Sequence, residues 1–147
     1  PCGIHDPMHP QSFSKRVDEW SKRTAGTQFR HIEYEEALDN AKPGDLIYCD
    51  PPYSNTQAIL NGAQSFNLSN LFQAIDRCKA RGVFVALSID GTKKSGSLKV
   101  DLPIPRGLFE KEVFIDCGRS MLRRFQMDGQ TLETEHVTDR LLLTYDI

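Results

Sequence analysis

The chain has 147 residues, enough to bury one hydrophobic core but not two, so we expect a single main domain. Its 39% apolar and 26% charged residues are typical of globular proteins, and no stretch approaches the ~18 apolar residues of a membrane span, which excludes a disordered chain and a membrane protein. The formal net charge of −2 weighs against a nucleic-acid partner, because binding to the phosphate backbone depends on Lys and Arg.

The N-terminal region differs in pattern from the rest of the chain. Residues 1–12 contain three prolines and two histidines without a period, which predicts a loop or arm. Within 13–23, the side chains of Phe13, Val17 and Trp20 recur about one helical turn apart. We therefore predict an arm followed by an amphipathic helix.

The cysteines indicate the cellular compartment. Four are present and none forms a CxxC pair: Cys2, Cys49, Cys78 and Cys117. Scattered single thiols are typical of proteins in the reducing cytoplasm. Cys2, His5 and His9 have a spacing seen in zinc sites, but a structural zinc needs four ligands and no fourth lies nearby, so we predict no metal.

The next segment leads to a short apolar strand. Residues 28–34 alternate apolar and polar as a half-buried strand does, and 35–42 have a short helical pattern that stops at Pro43-Gly44. Residues 45–49 are an apolar run that ends abruptly at Asp50 and two prolines, which predicts a buried strand.

A helix and a second strand follow. Residues 67–81 place five apolar side chains on one helical face, with Asn67 or Ser69 as the N-cap and Gly82 just past the end. Residues 83–89 form a second apolar run, predicted to be a buried strand. Strand, helix and strand in this order predict a parallel pair joined by a right-handed crossover.

The remaining residues predict a loop and two more strands. Gly, Pro, Lys and Ser are frequent in 90–107, so we expect an exposed loop there. Residues 112–117 and 140–145 are predicted strands, separated by the polar stretch 118–139. The fold class is therefore α/β with a mostly parallel sheet, which alone decides no function.

The tetrapeptide Asp50-Pro51-Pro52-Tyr53 carries the chemistry. It follows a predicted strand, and ligands of open α/β sheets bind beyond the carboxyl ends of strands. Two consecutive prolines fix φ and remove two backbone donors, which leaves carbonyl acceptors beside the Asp50 carboxylate. With the aromatic face of Tyr53, these acceptors suit a planar ring that carries an exocyclic amine.

Such a pocket can activate an adenine amine, whose lone pair is delocalised into the ring. If Asp50 and the Pro51 carbonyl each accept one N–H, the lone pair localises on nitrogen and can attack an electrophilic methyl group. Asp50 stabilises the developing positive charge. The base has to leave the duplex to react, and Tyr53 would hold it by stacking.

The residues around this motif resemble a known family. The segment DLIYCDPPY is similar to motif IV of Dam-type (alpha-class) adenine-N6 DNA methyltransferases. Four further segments match that family: FRHIEYEEAL, Ser65-Phe66 with the helix after it, GVFVALSID, and Arg119-Ser120-Met121 with the ending DRLLLTY. The resemblance covers roughly residues 25–147.

The resemblance implies a Rossmann-like methyltransferase sheet, mostly parallel with a terminal antiparallel strand. Residues 25–147 would form the C-terminal part of this catalytic domain, and residues 1–24 would be the end of the recognition region. It implies methyl transfer from S-adenosylmethionine to the N6 amine of adenine in double-stranded DNA, in a restriction-modification system. It assigns catalysis and target-base binding to Asp50, Pro51, Pro52 and Tyr53. Cofactor contacts are assigned to Asp50, Ile32 and Glu33.

The chain departs from the family at the cofactor loop. The family has a Gly-rich loop of the FxGxG kind upstream of these segments, whereas this sequence contains no GxG and has only Gly3 and Gly26 early on. We therefore expect an N-terminal half, either covalently upstream or as a second subunit, to complete the cofactor site. We also expect residues 1–147 alone to bind the cofactor negligibly.

Basic residues in the second half are candidates for DNA binding. Segment 91–124 has eight basic residues against four acidic ones, which partly offsets the acidity of the whole chain. The candidates for phosphate contact are Lys93, Lys94, Arg119, Arg123 and Arg124.

Two alternatives stay open. The same motif occurs in enzymes that methylate a guanine exocyclic amine in ribosomal RNA, although the Ser-Phe segment and the DRLLLTY ending favour the DNA adenine family. The chain could also be a non-catalytic fragment of a methyltransferase that retains only binding or assembly. A methyl-transfer assay on both nucleic acids tests the first alternative, and the presence of a second polypeptide that ends with a strand-FxGxG-helix unit tests the second.

Overall fold

A computed structural model describes residues 8–52, 66–93, 98–99, 101–119 and 136–146. The chain divides into two compact units, residues 1–32 and 33–147. The domain division expected after residue 24 stays a prediction. In chain order the elements are α1 (Pro10–Arg23), α2 (Tyr34–Asp39), β1 (Leu46–Cys49), α3 (Leu68–Ala80), β2 (Phe84–Lys93), β3 (Leu98–Lys99), β4 (Lys111–Arg119) and β5 (His136–Leu143).

The first unit contains α1, which confirms the amphipathic helix predicted at 13–23 but begins at Pro10, so the predicted loop or arm is wrong for residues 10–12. Pro10 occupies the first turn, where its missing N–H costs no hydrogen bond, and the Thr24 N–H donates to the Trp20 carbonyl at the end. The apolar side chains of Phe13, Val17 and Trp20 remain 59%, 49% and 63% exposed.

The predicted strand at 28–34 is wrong. Residues 27–33 contain no strand, and Tyr34 begins α2 instead. Alternating apolar residues form a strand when a neighbouring strand and a core are available, and here Phe29 is 82% exposed. Residues 28–33 are therefore exposed, and only Tyr34, the first residue of α2, packs against the core.

The second unit contains one mixed sheet, and the α/β class is confirmed. The described strands have the order β1-β2-β5-β4, and β3 also pairs with β2. β1 and β2 are parallel and α3 lies between them in sequence, as predicted, whereas β5 is antiparallel to both β2 and β4. The predicted mostly parallel sheet is corrected to a mixed one. β1, β2 and β4 point the same way, but β1–β2 is the only parallel pair among the described strands because β5 lies between β2 and β4.

One face of the sheet carries the core. Val85, Leu87 and Ile89 alternate toward α3, which contributes Ile75 and Cys78, and these five side chains are at most 3% exposed. The helix begins as predicted, because the Asn67 side chain accepts hydrogen bonds from the Ser69 and Asn70 backbone N–H groups. Gly82 follows at a φ of 76°.

The structure corrects one expectation about burial and one about secondary structure. β1 is only half-buried, since Leu46 and Tyr48 are 61% and 62% exposed while Ile47 and Cys49 pack toward the core. The predicted loop at 90–107 is partly strand, because β2 continues through Gly91 to Lys93 by pairing with β5 beyond a bulge.

The last two strands are longer than predicted. β4 and β5 extend beyond 112–117 and upstream of residue 140, so the polar stretch 118–139 contributes to both, and Arg119 pairs with His136. Polar residues can occupy these ends because one face there is solvent-exposed. Among the described residues, no helix has the length and apolar character needed to cross a membrane.

Candidate active site

Asp50 lies where β1 ends. The parallel register places Cys49 beside Leu87, and β2 continues past that point while β1 stops. The chain leaves the ladder because Pro51 and Pro52 have no N–H to donate to a neighbouring strand. The Asp50 side chain is exposed and both prolines are half-buried, so the carboxylate reaches solvent at the carboxyl edge of the sheet.

The start of β1 is fixed by a turn. The Asp45 side chain accepts a hydrogen bond from the Lys42 N–H at 2.8 Å, and the Gly44 N–H donates to the Gly82 carbonyl at 2.8 Å. Gly44 has a φ of 90°, which favours glycine. This turn and the hydrogen bonds between β1 and β2 together fix the position of β1 and therefore of Asp50 at its end.

Cys49 is the last residue of β1 and directly precedes the Asp50 motif. Burial, with a smaller contribution from the neighbouring Cys78 thiol, raises the pKa of Cys49 to about 11. The thiol is therefore protonated at physiological pH and supplies no nucleophilic thiolate at this strand end.

Glu33, like Asp50, is a described cofactor candidate in the second unit. It precedes α2 as the N-cap residue, with an extended backbone at φ −65° and ψ 144°, and its side chain makes no capping hydrogen bond. The exposed carboxylate is therefore not used in starting the helix. Ile32, which is 38% exposed, falls in the first unit.

The DNA-binding candidates are placed only in part. Lys93 ends β2 and Arg119 ends β4. Because β1, β2 and β4 point the same way, both residues come at the sheet edge where Asp50 follows β1. Four predicted site residues lie outside the described part of the chain: Tyr53, Lys94, Arg123 and Arg124.

Sequence reasoning missed a group of polar residues at the same edge. On β2, Ser88 and Asp90 are 8% and 6% exposed, and on β5 the Arg140 side chain is 4% exposed. Arg140 Nε donates to the Asp90 carbonyl at 3.0 Å, and its Nη1 lies 3.2 Å from Glu112 Oε1. The available signal was polar residues inside the apolar runs VFVALSID and DRLLLTY.

Arg140 joins the strands of this edge. Its contacts reach β2 on one side and β4 on the other, so one side chain of β5 ties both neighbours together. A buried guanidinium is tolerated when its donors are paired, as the Asp90 carbonyl and the Glu112 carboxylate provide here. The Arg140 contacts therefore hold β2, β5 and β4 together, and β2 is the neighbour of β1, which ends at the Asp50 motif.

The described residues contain no group of three or more His, Cys, Asp or Glu side chains that could hold a metal ion.

Comparison with curated proteins and with solved structures gave no significant match. A family model does match, over residues 7–100, which is more than half of the chain and includes Asp50 and its prolines. The chain therefore belongs to the D12 class N6 adenine-specific DNA methyltransferase family.

Proposed function

We propose that this chain is the catalytic C-terminal portion of a Dam-type methyltransferase that modifies adenine N6 in double-stranded DNA as part of a restriction-modification system. The supporting observation is the exposed Asp50 carboxylate beside Pro51 and Pro52, at the carboxyl end of β1, in a chain of this family. Free cysteines at positions 49, 78 and 117 agree with a cytoplasmic location, which we include in the proposal.

The chemistry assigned to this strand end is activation of the amine. Asp50 and the Pro51 carbonyl accept one hydrogen bond each from the N6 group, which localises the nitrogen lone pair. As the new C–N bond forms, the methyl–sulfur bond of the sulfonium donor would break and leave a neutral thioether. The carboxylate stabilises the positive charge on nitrogen, and the extra proton then passes to solvent. Pro52 keeps the segment rigid, so the acceptors need little reorganisation during the reaction.

S-adenosylmethionine is the proposed cofactor, and it supplies an electrophilic methyl group when bound. Three residues of this chain are suited to contact part of the cofactor. The Glu33 carboxylate, free of helix capping, can accept hydrogen bonds from ribose hydroxyls. Ile32, which is 38% exposed, and Asp50 are the other two residues proposed to contact the cofactor.

Double-stranded DNA is the proposed substrate. Lys93 and Arg119, at the carboxyl edge of the sheet, are proposed to contact backbone phosphates together with Lys94, Arg123 and Arg124. Such contacts hold the duplex in place without reading its sequence. They should make binding weaken as the salt concentration rises.

The proposed function is tested by methyl transfer from radiolabelled cofactor in the complete enzyme. Label should appear as N6-methyladenine in adenine-containing duplex DNA, identified after digestion to nucleosides. Label in ribosomal RNA guanine instead would support the RNA alternative. No transfer to either acceptor would support a non-catalytic fragment and contradict the proposal.

Tyr53 provides a second prediction. If its ring stacks on the flipped adenine, Tyr53→Phe should keep near-normal turnover, whereas Tyr53→Ala should lose stacking worth about 1–3 kcal/mol. Steady-state kinetics on the same duplex measure both variants. Equal losses in the two variants would assign the role to the hydroxyl group and contradict stacking.

We also propose that a further part of the enzyme covers β1. β1 is an edge strand of the described sheet, and the face it shares with β2 exposes Leu46, Tyr48 and Phe84 at 61%, 62% and 45%. An N-terminal half carrying the Gly-rich loop would bury this face, either covalently upstream or as a second subunit, and would bind the methionine end of the cofactor.

This partner proposal predicts weak cofactor binding by residues 1–147 alone. Calorimetry with S-adenosylmethionine should give no saturable heat for the isolated chain, and saturable binding after the N-terminal half is added. Tight binding by the isolated chain would show that the cofactor site is complete without a partner.

A further inference from the structure

The contact between Tyr34 and Phe66 joins the start of α2 to the segment before α3. Tyr34 is the first residue of α2, directly after Glu33, and Phe66 lies two residues before α3 begins. Their ring centroids are 6.0 Å apart with an interplanar angle of 62°, an edge-to-face arrangement. Both side chains are partly buried against the core.

The helix that follows Glu33 needs such a contact. α2 has six residues, far below the ~12–15 at which an isolated helix becomes marginally stable. Its N-cap makes no side-chain hydrogen bond, and Leu38 is its only buried residue. The position of α2 therefore depends on tertiary contacts at its two ends.

The two ends of α2 are held differently. At the C-terminal end, the Leu38 carbonyl accepts a hydrogen bond from Arg81 Nη2 at 2.8 Å, and the Asp39 carboxylate lies 3.7 Å from Arg77 Nη2. At the N-terminal end, the ring of Tyr34 packs edge-to-face on Phe66 and against the core. This ring therefore anchors the start of the helix.

The hydroxyl group of Tyr34 is not part of that contact. It donates to Glu35 Oε1 at 3.2 Å, a residue of the same helix. Burial, followed by the charge of Glu35, raises the pKa of Tyr34, so the phenol remains a neutral donor. Only the ring reaches Phe66, and a phenylalanine at position 34 would preserve the contact.

We propose that Tyr34 is a positioning residue for cofactor binding. Its ring, packed on Phe66, fixes the start of α2 and thereby the location of the adjoining Glu33 carboxylate. The proposal rests on the proposed function, in which Glu33 contacts S-adenosylmethionine. Tyr34 itself touches neither the cofactor nor the adenine in this role.

The test compares Tyr34→Ala, Tyr34→Phe and a matched control in the complete enzyme. Phe109 forms an edge-to-face pair with Phe72 on α3 at 6.2 Å, and Phe109→Ala removes a ring contact of the same kind that involves no proposed binding residue. Tyr34→Ala should raise the KM for S-adenosylmethionine about three- to tenfold, with an unchanged KM for DNA. Tyr34→Phe and Phe109→Ala should leave both KM values unchanged.

A double-mutant cycle with Glu33→Gln tests whether Tyr34 acts through Glu33. In that background Tyr34→Ala should raise the cofactor KM no further. An equal rise in both backgrounds, an unchanged cofactor KM, or the same rise in Phe109→Ala would overturn the proposal. If Tyr34→Ala does not fold, Tyr34→Leu keeps apolar volume without the ring and should give the same KM shift.

The outcome is separable from the proposed function. Loss of turnover in Asp50→Ala together with an unchanged cofactor KM in Tyr34→Ala would retain adenine methylation and reject the role of Tyr34. Normal turnover in Asp50→Ala would reject the proposed function, whatever Tyr34→Ala does.

Discussion

Asp50→Ala in the complete methyltransferase is expected to lower kcat for adenine methylation by at least about 10²–10³-fold, the typical loss when one preorganised polar group is removed. The carboxylate is exposed at the end of β1 and has no role in the core, so the variant should fold normally. The expected rate loss comes from the missing acceptor for the N6 amine. Single-turnover kinetics on duplex DNA measure the methyl-transfer step directly.

Two further variants make this result specific. Asp50→Asn keeps the size of the side chain but loses its charge, and should be nearly as slow as Asp50→Ala. Asp76 is an exposed aspartate on α3, so Asp76→Ala removes a carboxylate from the same unit and should leave kcat unchanged. Turnover of Asp50→Ala within a few-fold of the original enzyme would refute the catalytic role of this residue.

Gly91→Ala is expected to destabilise the second unit by roughly 3 kcal/mol, the upper end of the cost of overpacking. A Cβ atom at Gly91 would lie far inside van der Waals contact with the carbonyl oxygen of Thr138 on β5, and 2.9 Å from its carbonyl carbon. Backbone atoms in the middle of a sheet cannot move aside as a flexible side chain can. Thermal or urea unfolding gives the change in free energy.

Gly107→Ala is the matched control for this change. Gly107 has a φ of 76° and nothing within 4 Å of an added Cβ, so the same substitution there costs only backbone strain of about 1–2 kcal/mol. Gly91→Ala should therefore be the more destabilising variant. Similar losses at the two positions would show that β2 and β5 can separate locally at the bulge.

The elements that the sequence predicted well are those whose signals are local. The apolar spacing of α3 and the Asn67 cap specify a helix whatever its surroundings, and the two prolines end β1 by removing donors. Asp50 was therefore predicted at the end of a strand, where it lies. Its catalytic role stays a prediction until it is measured.

The features that the sequence did not reveal depend on neighbours distant in the chain. The apolar run Leu141–Leu143 has the same pattern at the edge of a sheet or in its middle, so its place between β2 and β4 was not predictable. Likewise Phe29 belongs to an alternating segment, residues 28–33, that the structure describes without a strand, and the burial of Ser88 and Asp90 depends on the strands around them. Periodicity identifies elements, and pairing decides what they bury.

The place of β5 also determines when this fold can form. Leu143 pairs with Ala86 on one side and with Lys111 on the other, so the sheet acquires its middle only when the chain has been synthesised that far. Before then β2 lacks its antiparallel neighbour β5, and β4 lacks the one neighbour it has among the described strands. Contacts between residues so distant in sequence form slowly, because the loop must close before the contact stabilises it. The strand ends around Asp50 therefore become a rigid site only after residue 143 has been added to the chain, and until then the exposed strand edges are open to association with other chains.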